Sequence, residues 1–75
     1  MPDAGDIKSR IEAAIPGAQA QVEDWTGGGD HFRATVVAAT FAGLSRIQQH
    51  RLVYEVFGEE IGGPIHALSL TTISP

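Results

Sequence analysis

The chain has 75 residues, a formal net charge of −4 at pH 7 and no cysteine. This length suits one small domain, and the absence of cysteine excludes disulfides and a thiolate zinc or iron–sulfur site held by this chain alone. The acidic balance argues against non-specific nucleic-acid binding, and no apolar run approaches the roughly 20 residues of a membrane helix. The N-terminal ten residues lack the apolar segment of a signal peptide. We therefore expect a single cytoplasmic domain over residues 1–75, with no membrane association and with residues 1–5 flexible.

The first half of the chain predicts one helix followed by two strands. Residues 6–15 carry isoleucines at helical spacing, and Asp6 is placed to cap the N-terminus. Residues 19–25 alternate weakly and predict a polar strand, whereas residues 31–40 alternate strongly and predict a strand with one apolar face. The glycine-rich loop of residues 26–30 is short, so the two strands should pair antiparallel.

The second half predicts a helix over residues 45–57, with Ser45 as its N-cap, then a further turn and a last strand over residues 65–73. The order α-β-β-α-α-β indicates an α+β domain with a three-stranded sheet packed on helices. The helical connection allows the second and third strands to be parallel neighbours, which would start at one edge of the sheet. His31 begins one of these strands and His66 lies at the mouth of the other.

Two of the three histidines are therefore candidate metal ligands. His31 and His66 together offer two imidazole nitrogens, which is too few for a closed tetrahedral site, so further ligands would have to come from elsewhere. The alternative is that both are edge histidines without a special role. His50 falls on the apolar side of its helix, and we expect it to be a packed residue.

The middle of the chain is basic within an acidic protein. No acidic residue lies between His31 and Tyr54, but Arg33, Arg46 and Arg51 do. This pattern fits either a patch for an anionic partner or an ordinary solvated surface. The serines lie in no triad or nucleophile-elbow context, so we expect no enzymatic activity.

Several ordered motifs carry a family resemblance. They are His31 and Phe32 before an apolar strand, FAGLS at 41–45, HRLVY at 50–54, and IHAL at 65–68 running on to Pro75. In this order and spacing, over residues 7–75, the chain resembles the BolA family, in its short-loop form.

The resemblance implies a fold like a type II KH domain, with a helix-turn-helix-like region within residues 45–61. It also implies a partnership with a monothiol glutaredoxin, in which a heterodimer shares a 2Fe–2S cluster for iron–sulfur trafficking or iron-dependent regulation. The glutaredoxin would supply one cysteine, glutathione another thiolate, and this chain His66. Some family members bind DNA as regulators, and in that alternative Arg46 and Arg51 would contact DNA, together with Arg33 if it shares their surface.

The chain departs from the family pattern at one cluster ligand. Many members carry a second histidine or cysteine in the loop before the second strand, and loop 26–30 has neither. Three alternatives follow: a cluster held by His66 and His31, one held by His66 with an exogenous ligand, or a labile cluster. The isolated protein should hold no cofactor and should be a monomer or weak homodimer. A metal-free protein-interaction module is a further alternative.

Overall fold

The computed structural model describes residues 3–28, 31–65 and 67–75. Two α-helices and three strands follow one another as α1 (Ala4–Ala14), β1 (Gln19–Asp24), β2 (His31–Val37), α2 (Arg46–Phe57) and β3 (Ala67–Ile73), with 3₁₀ turns at Ala39–Phe41 and Gly58–Glu60. The α+β class is confirmed. His66 lies outside the described residues. Within the described ranges, no helix has the length and apolar character needed to cross a membrane.

The sheet has the order β1-β2-β3. β1 pairs antiparallel with β2, and β2 pairs parallel with β3, which confirms the predicted pairing. Phe32, Ala34 and Val36 alternate along β2 and are buried, and they share one core with residues of both helices. Both helices therefore cover the same face of the sheet, and no helix of the described residues covers the opposite face, here called the open face.

Helix α1 starts earlier than predicted. The carboxylate of Asp3 accepts a hydrogen bond from the backbone N–H of Asp6 at 2.7 Å, so Asp3 is the N-cap and the predicted cap at Asp6 is wrong. Residues 4 and 5 are helical. Asp6 lies instead in the first turn, where a negative charge is favourable next to the helix N-terminus.

Strand β2 is shorter than the predicted 31–40, because its partner ends. Val37 pairs with Ile73, the last residue of β3, and the N–H of Ala38 donates to the Ile73 carbonyl at 3.1 Å. The chain then turns through Ala39–Phe41, which buries Phe41 completely. The chain therefore continues to bury apolar side chains after the pairing of β2 with β3 has ended.

Helix α2 begins as predicted. The Ser45 hydroxyl accepts from the Gln48 N–H, and the Gln48 side chain accepts from the Ser45 N–H, which forms a capping box. Val53 and Phe57 are buried. Ile47, which helical spacing places on the same broad side of α2, is 72% exposed.

The second helix expected after α2 is a single 3₁₀ turn. Gly58 ends α2 with a φ of 54°, in a left-handed conformation that glycine adopts without strain, and Gly58–Glu60 follows directly. Residues 45–61 therefore contain one α-helix followed by the predicted further turn, and the segment that the resemblance implies to be helix-turn-helix-like has a 3₁₀ turn in place of a second α-helix.

An ion pair fastens this turn to α1. The Arg10 guanidinium donates to both carboxylate oxygens of Glu60 and lies 4.8 Å from the Phe57 ring centroid. Its hydrogen bonds lower the pKa of Glu60. Arg10 thereby holds the chain in place where it leaves α2 and approaches β3.

Candidate functional site

The edge of the sheet where β2 and β3 begin is where the two candidate histidines are predicted to lie. His31 opens β2 and pairs with Ala67, the first residue of β3. Ala67 directly follows His66 in the sequence, although His66 itself lies outside the described residues. The two strands thus start side by side in parallel, as predicted, and the His31 side chain is half-buried there.

The backbone leading to this edge is held by a network of hydrogen bonds. The N–H of Ile65 donates to the Glu60 carbonyl at 3.0 Å, and the N–H of Gly62 donates to the Ile65 carbonyl at 2.8 Å. Gly62 has a φ of 89°, which favours glycine at this point of the turn. The Ile65 side chain is completely buried. The chain is therefore anchored on the residue immediately before His66.

A second anchor lies just after it. The Tyr54 hydroxyl of α2 donates to the backbone carbonyl of Leu68 at 2.9 Å, and the Leu68 side chain is buried. Leu68 lies on an edge strand, so this bond also occupies one outward-facing carbonyl. This contact is not predictable from the helical spacing of α2 or the alternation of β3. Its one signal was that Tyr54 belongs to the same HRLVY stretch that carries the family resemblance.

Aromatic and cationic side chains surround His31 on the open face of the sheet. The Trp25 ring meets the His31 ring edge to face, with 6.3 Å between centroids. The Arg33 guanidinium lies 4.6 Å from the centroid of the same indole ring, and its Nη1 is 3.9 Å from the Glu23 carboxylate. Trp25 was not among the residues that the sequence pattern predicted for this site. The antiparallel register, which brings Asp24 opposite Phe32, explains why the neighbouring indole reaches this edge.

The described residues offer few metal donors at this edge. Across residues 3–28, 31–65 and 67–75, no group of three or more histidine, cysteine, aspartate or glutamate side chains is arranged to hold a metal ion. The chain has no cysteine, and the imidazole that the structure describes at this edge is that of His31. Such a donor set fits a shared centre completed by other molecules, and does not fit a closed site.

The three predicted arginines do not form one surface. Arg33 alternates with the buried residues of β2 and lies on the open face of the sheet, whereas α2 covers the other face. The condition for Arg33 to join Arg46 and Arg51 in a DNA-contacting surface, that it share their surface, is therefore not met. Both α2 arginines are exposed, and neither has an ion-pair partner in the part of the chain that the structure describes.

His50 is not a core residue. It is half-buried and lines an open groove of about 510 Å³ on the outer side of α2, together with Ile47, Arg51, Tyr54, Glu55 and Gly58. The core side of α2 is formed by Val53 and Phe57 instead. The helical spacing therefore predicted an apolar side of α2 that is wider than the part of the helix that packs on the sheet.

Comparison with known proteins decides the family. A model of the BolA-like protein family matches residues 9–75. The chain belongs to the BolA family. This BolA-family chain is 36% identical to human BolA-like protein 1 over 81 residues, which cover 99% of this chain and 59% of that protein. It therefore spans less than two-thirds of the length of that relative.

Solved structures agree with this assignment. A BolA homologue from Coxiella burnetii superimposes with a TM-score of 0.82 at 39% identity, covering 100% of this chain and 94% of that chain.

A further relative by sequence is named DNA-binding transcriptional regulator BolA, from Haemophilus influenzae. It is 35% identical over 49 residues, which cover 65% of this chain and 48% of that protein. The resemblance based on the sequence motifs is thereby confirmed.

Proposed function

We propose that this BolA-family chain is a non-enzymatic partner of a monothiol glutaredoxin, with which it shares a 2Fe–2S cluster in a heterodimer. Its role would be iron–sulfur trafficking or iron-dependent regulation. His66 is the proposed ligand from this chain, and His31 is the candidate for a second ligand. The glutaredoxin cysteine and glutathione would supply the thiolates that a chain without cysteine lacks.

The parallel register of β2 and β3 is the observation that supports this proposal most directly. Because His31 pairs with Ala67, the residue that follows His66, the two histidine positions belong to adjacent strand starts. Backbone anchors flank the His66 position, at Ile65 and at Leu68. A ligand on an anchored backbone loses less conformational freedom when it binds, which favours a centre completed by a partner.

The residues of this chain would tune the shared centre. A bound 2Fe–2S cluster supplies one-electron chemistry, and imidazole ligation raises its potential relative to all-thiolate ligation. A histidine binds metal only in its deprotonated form, so the chain would release its ligand as the pH falls. Trp25 packs against His31 and would orient that ring at the edge of the sheet.

Anaerobic reconstitution tests the proposal. A monothiol glutaredoxin carrying a cluster with glutathione would be titrated with this protein, and visible circular dichroism and the mass of the complex would be recorded. We expect a heterodimer with a changed cluster spectrum that is lost with His66→Ala and altered with His31→Ala. His50→Ala is the matched control, because His50 lies on α2 and should leave the spectrum unchanged. Absence of both complex and spectral change would refute the proposal.

A DNA-binding regulator is a second candidate. It is supported by the name of the Haemophilus influenzae relative and by the exposed Arg46 and Arg51 on α2. Binding to duplex DNA over a series of salt concentrations tests it. Replacing an arginine that contacts a phosphate by alanine should reduce the slope of log K against log salt concentration by about one. Arg33→Ala, on the other side of the sheet, should leave this slope unchanged. Equal effects of all three variants would contradict a DNA site on α2.

A further inference from the structure

The ion pair between Arg10 and Glu60 lies on the route that the chain takes to the proposed cluster ligand. Arg10 is on α1, and Glu60 is in the 3₁₀ turn after α2. The guanidinium donates to both carboxylate oxygens, and the bond from Nη1 to Oε1 is 2.9 Å long. A bidentate pair of this kind fixes the orientation of the carboxylate as well as its position. The 3₁₀ turn is therefore held against α1.

The backbone carbonyl of Glu60 extends this restraint toward β3. It accepts hydrogen bonds from the N–H of Gly63 at 3.1 Å and from the N–H of Ile65 at 3.0 Å. The Ile65 carbonyl accepts in turn from the N–H of Gly62 at 2.8 Å. Both backbone polar groups of Ile65 are thereby bonded, and His66 is the next residue in the sequence. One peptide carbonyl thus connects the ion pair to the residue that precedes the proposed ligand.

Arg10 is itself held from two sides. Its guanidinium lies 4.8 Å from the centroid of the Phe57 ring, and Phe57 is buried in the core at the end of α2. The Arg10 and Glu60 side chains are both half-buried. A planar cation between an aromatic ring and a carboxylate has few alternative conformations. The ion pair is therefore a defined contact between α1 and the segment that leads to β3.

A second ion pair on α1 leads to a different part of the fold. Lys8 pairs with Glu12 at 2.6 Å within the helix, and the Glu12 carboxylate accepts from the N–H of Ala20 in β1 at 3.0 Å. In the sheet order, β1 and β3 are at opposite edges. The Lys8 pair is therefore a matched control for the Arg10 pair, with the same helix and the same type of contact.

We propose that Arg10 is a positioning residue for the cluster ligand His66, acting through Glu60 and the backbone of Ile65. This inference rests on the proposed function, because Arg10 has such a role only where His66 binds a metal centre. The ion pair restrains the segment before the ligand, which reduces the conformational entropy that is lost on ligation. The shared cluster is then retained longer with the ion pair than without it.

Hydrogen exchange in the isolated protein tests the restraint itself. Arg10→Met removes the charge and keeps an unbranched side chain beside Phe57. Amide exchange at Gly63 and Ile65 should accelerate about threefold, because the ion pair no longer holds the Glu60 carbonyl that accepts from both. Lys8→Met should leave exchange at these two amides unchanged. Circular dichroism would verify that both variants are folded.

Cluster loss from the heterodimer tests the effect on the ligand. The complex with a monothiol glutaredoxin and glutathione would be mixed with an iron chelator, and its visible absorbance and mass would be recorded. We expect Arg10→Met to lose the cluster about threefold faster than wild type, with Arg10→Lys between them and Lys8→Met equal to wild type. When combined with His66→Ala, Arg10→Met should have no further effect, since the ligand that it positions is absent.

Four results would overturn the positioning role. Unchanged exchange at Gly63 and Ile65 in Arg10→Met would show that the ion pair does not restrain this segment. Equal cluster loss in the Arg10→Met and Lys8→Met heterodimers, or an Arg10→Met effect that persists with His66→Ala, would remove the positioning role and leave the proposed function in place. A wild-type chain that forms no cluster-containing heterodimer would refute the proposed function and the positioning role together.

Discussion

Replacement of Tyr54 by phenylalanine tests whether a single hydroxyl group fastens the start of β3 to α2. The hydroxyl donates to the Leu68 carbonyl at 2.9 Å, and phenylalanine keeps the ring that lines the groove. Tyr54 is half-buried, so water can partly replace the lost donor. The net loss should be that of one ordinary hydrogen bond, about 1 kcal/mol, which in a domain of this size lowers the melting temperature by about 4–8 °C.

Two measurements check this prediction. Thermal unfolding followed by circular dichroism gives the loss of stability, and amide hydrogen exchange shows where it occurs. Exchange should accelerate most around residues 67–70, because the missing bond holds that part of β3. Ser69→Ala is the control, since it removes an exposed hydroxyl from the same strand and should change neither quantity. A Tyr54→Phe protein with wild-type melting temperature and wild-type exchange in β3 would refute the argument.

Three further substitutions test the framework of the fold. Arg10→Met removes the partner of Glu60, whose pKa the Arg10 hydrogen bonds lower; the pair therefore stabilises the fold at neutral pH and loses its effect as the carboxylate is protonated. Urea unfolding should show the variant least stable relative to wild type near pH 7, with the difference shrinking toward about pH 3; a difference that grows on acidification would contradict this. Ser45→Ala removes the N-cap of α2 and should cost about 1 kcal/mol in urea unfolding, and no loss would argue against the capping box. Phe32→Ala empties a completely buried position and should cost about 3–5 kcal/mol in the same assay; a loss below about 1 kcal/mol would mean that the site is not close-packed.

The sheet was predictable because its signals are local and periodic. Strict alternation from Phe32 to Val36 identifies β2 and its buried face, and the short loop before it dictates antiparallel pairing with β1. A helical connection then allows β3 to lie parallel beside β2. These three facts suffice to bring the starts of β2 and β3 to one edge, which is the part of the candidate site that the sequence could predict.

The tertiary contacts at the site were not predictable in the same way. Arg10 and Glu60 are 50 positions apart and meet only because α1 and the turn after α2 pack together. The position of Trp25 beside Arg33 and His31 depends on the exact register of β1 and β2. No pattern in a single sequence specifies such register, so these side chains emerged only with the structure.

Helix α2 shows a second reason why the sequence alone cannot predict the structure fully. Apolar spacing assigns Ile47 to the same broad side as Val53, but the sheet is only wide enough to cover the part around Val53 and Phe57. Which apolar residues of an amphipathic helix become buried is decided by the surface beneath the helix. The exposure of Ile47 is therefore information that only the fold supplies.

The measurement that tests the cluster-sharing proposal most directly is hyperfine spectroscopy of the reduced cluster in the heterodimer with a monothiol glutaredoxin. This chain would be labelled with ¹⁵N-histidine, and the glutaredoxin and glutathione would be left unlabelled. We expect a ¹⁵N coupling from directly bound imidazole that is reduced or lost in His66→Ala and unchanged in His50→Ala, and any coupling that remains in His66→Ala should disappear when His31→Ala is added. A cluster-containing heterodimer without ¹⁵N coupling, or one whose coupling is the same in His66→Ala as in the wild type, would contradict the assignment of His66 as the ligand.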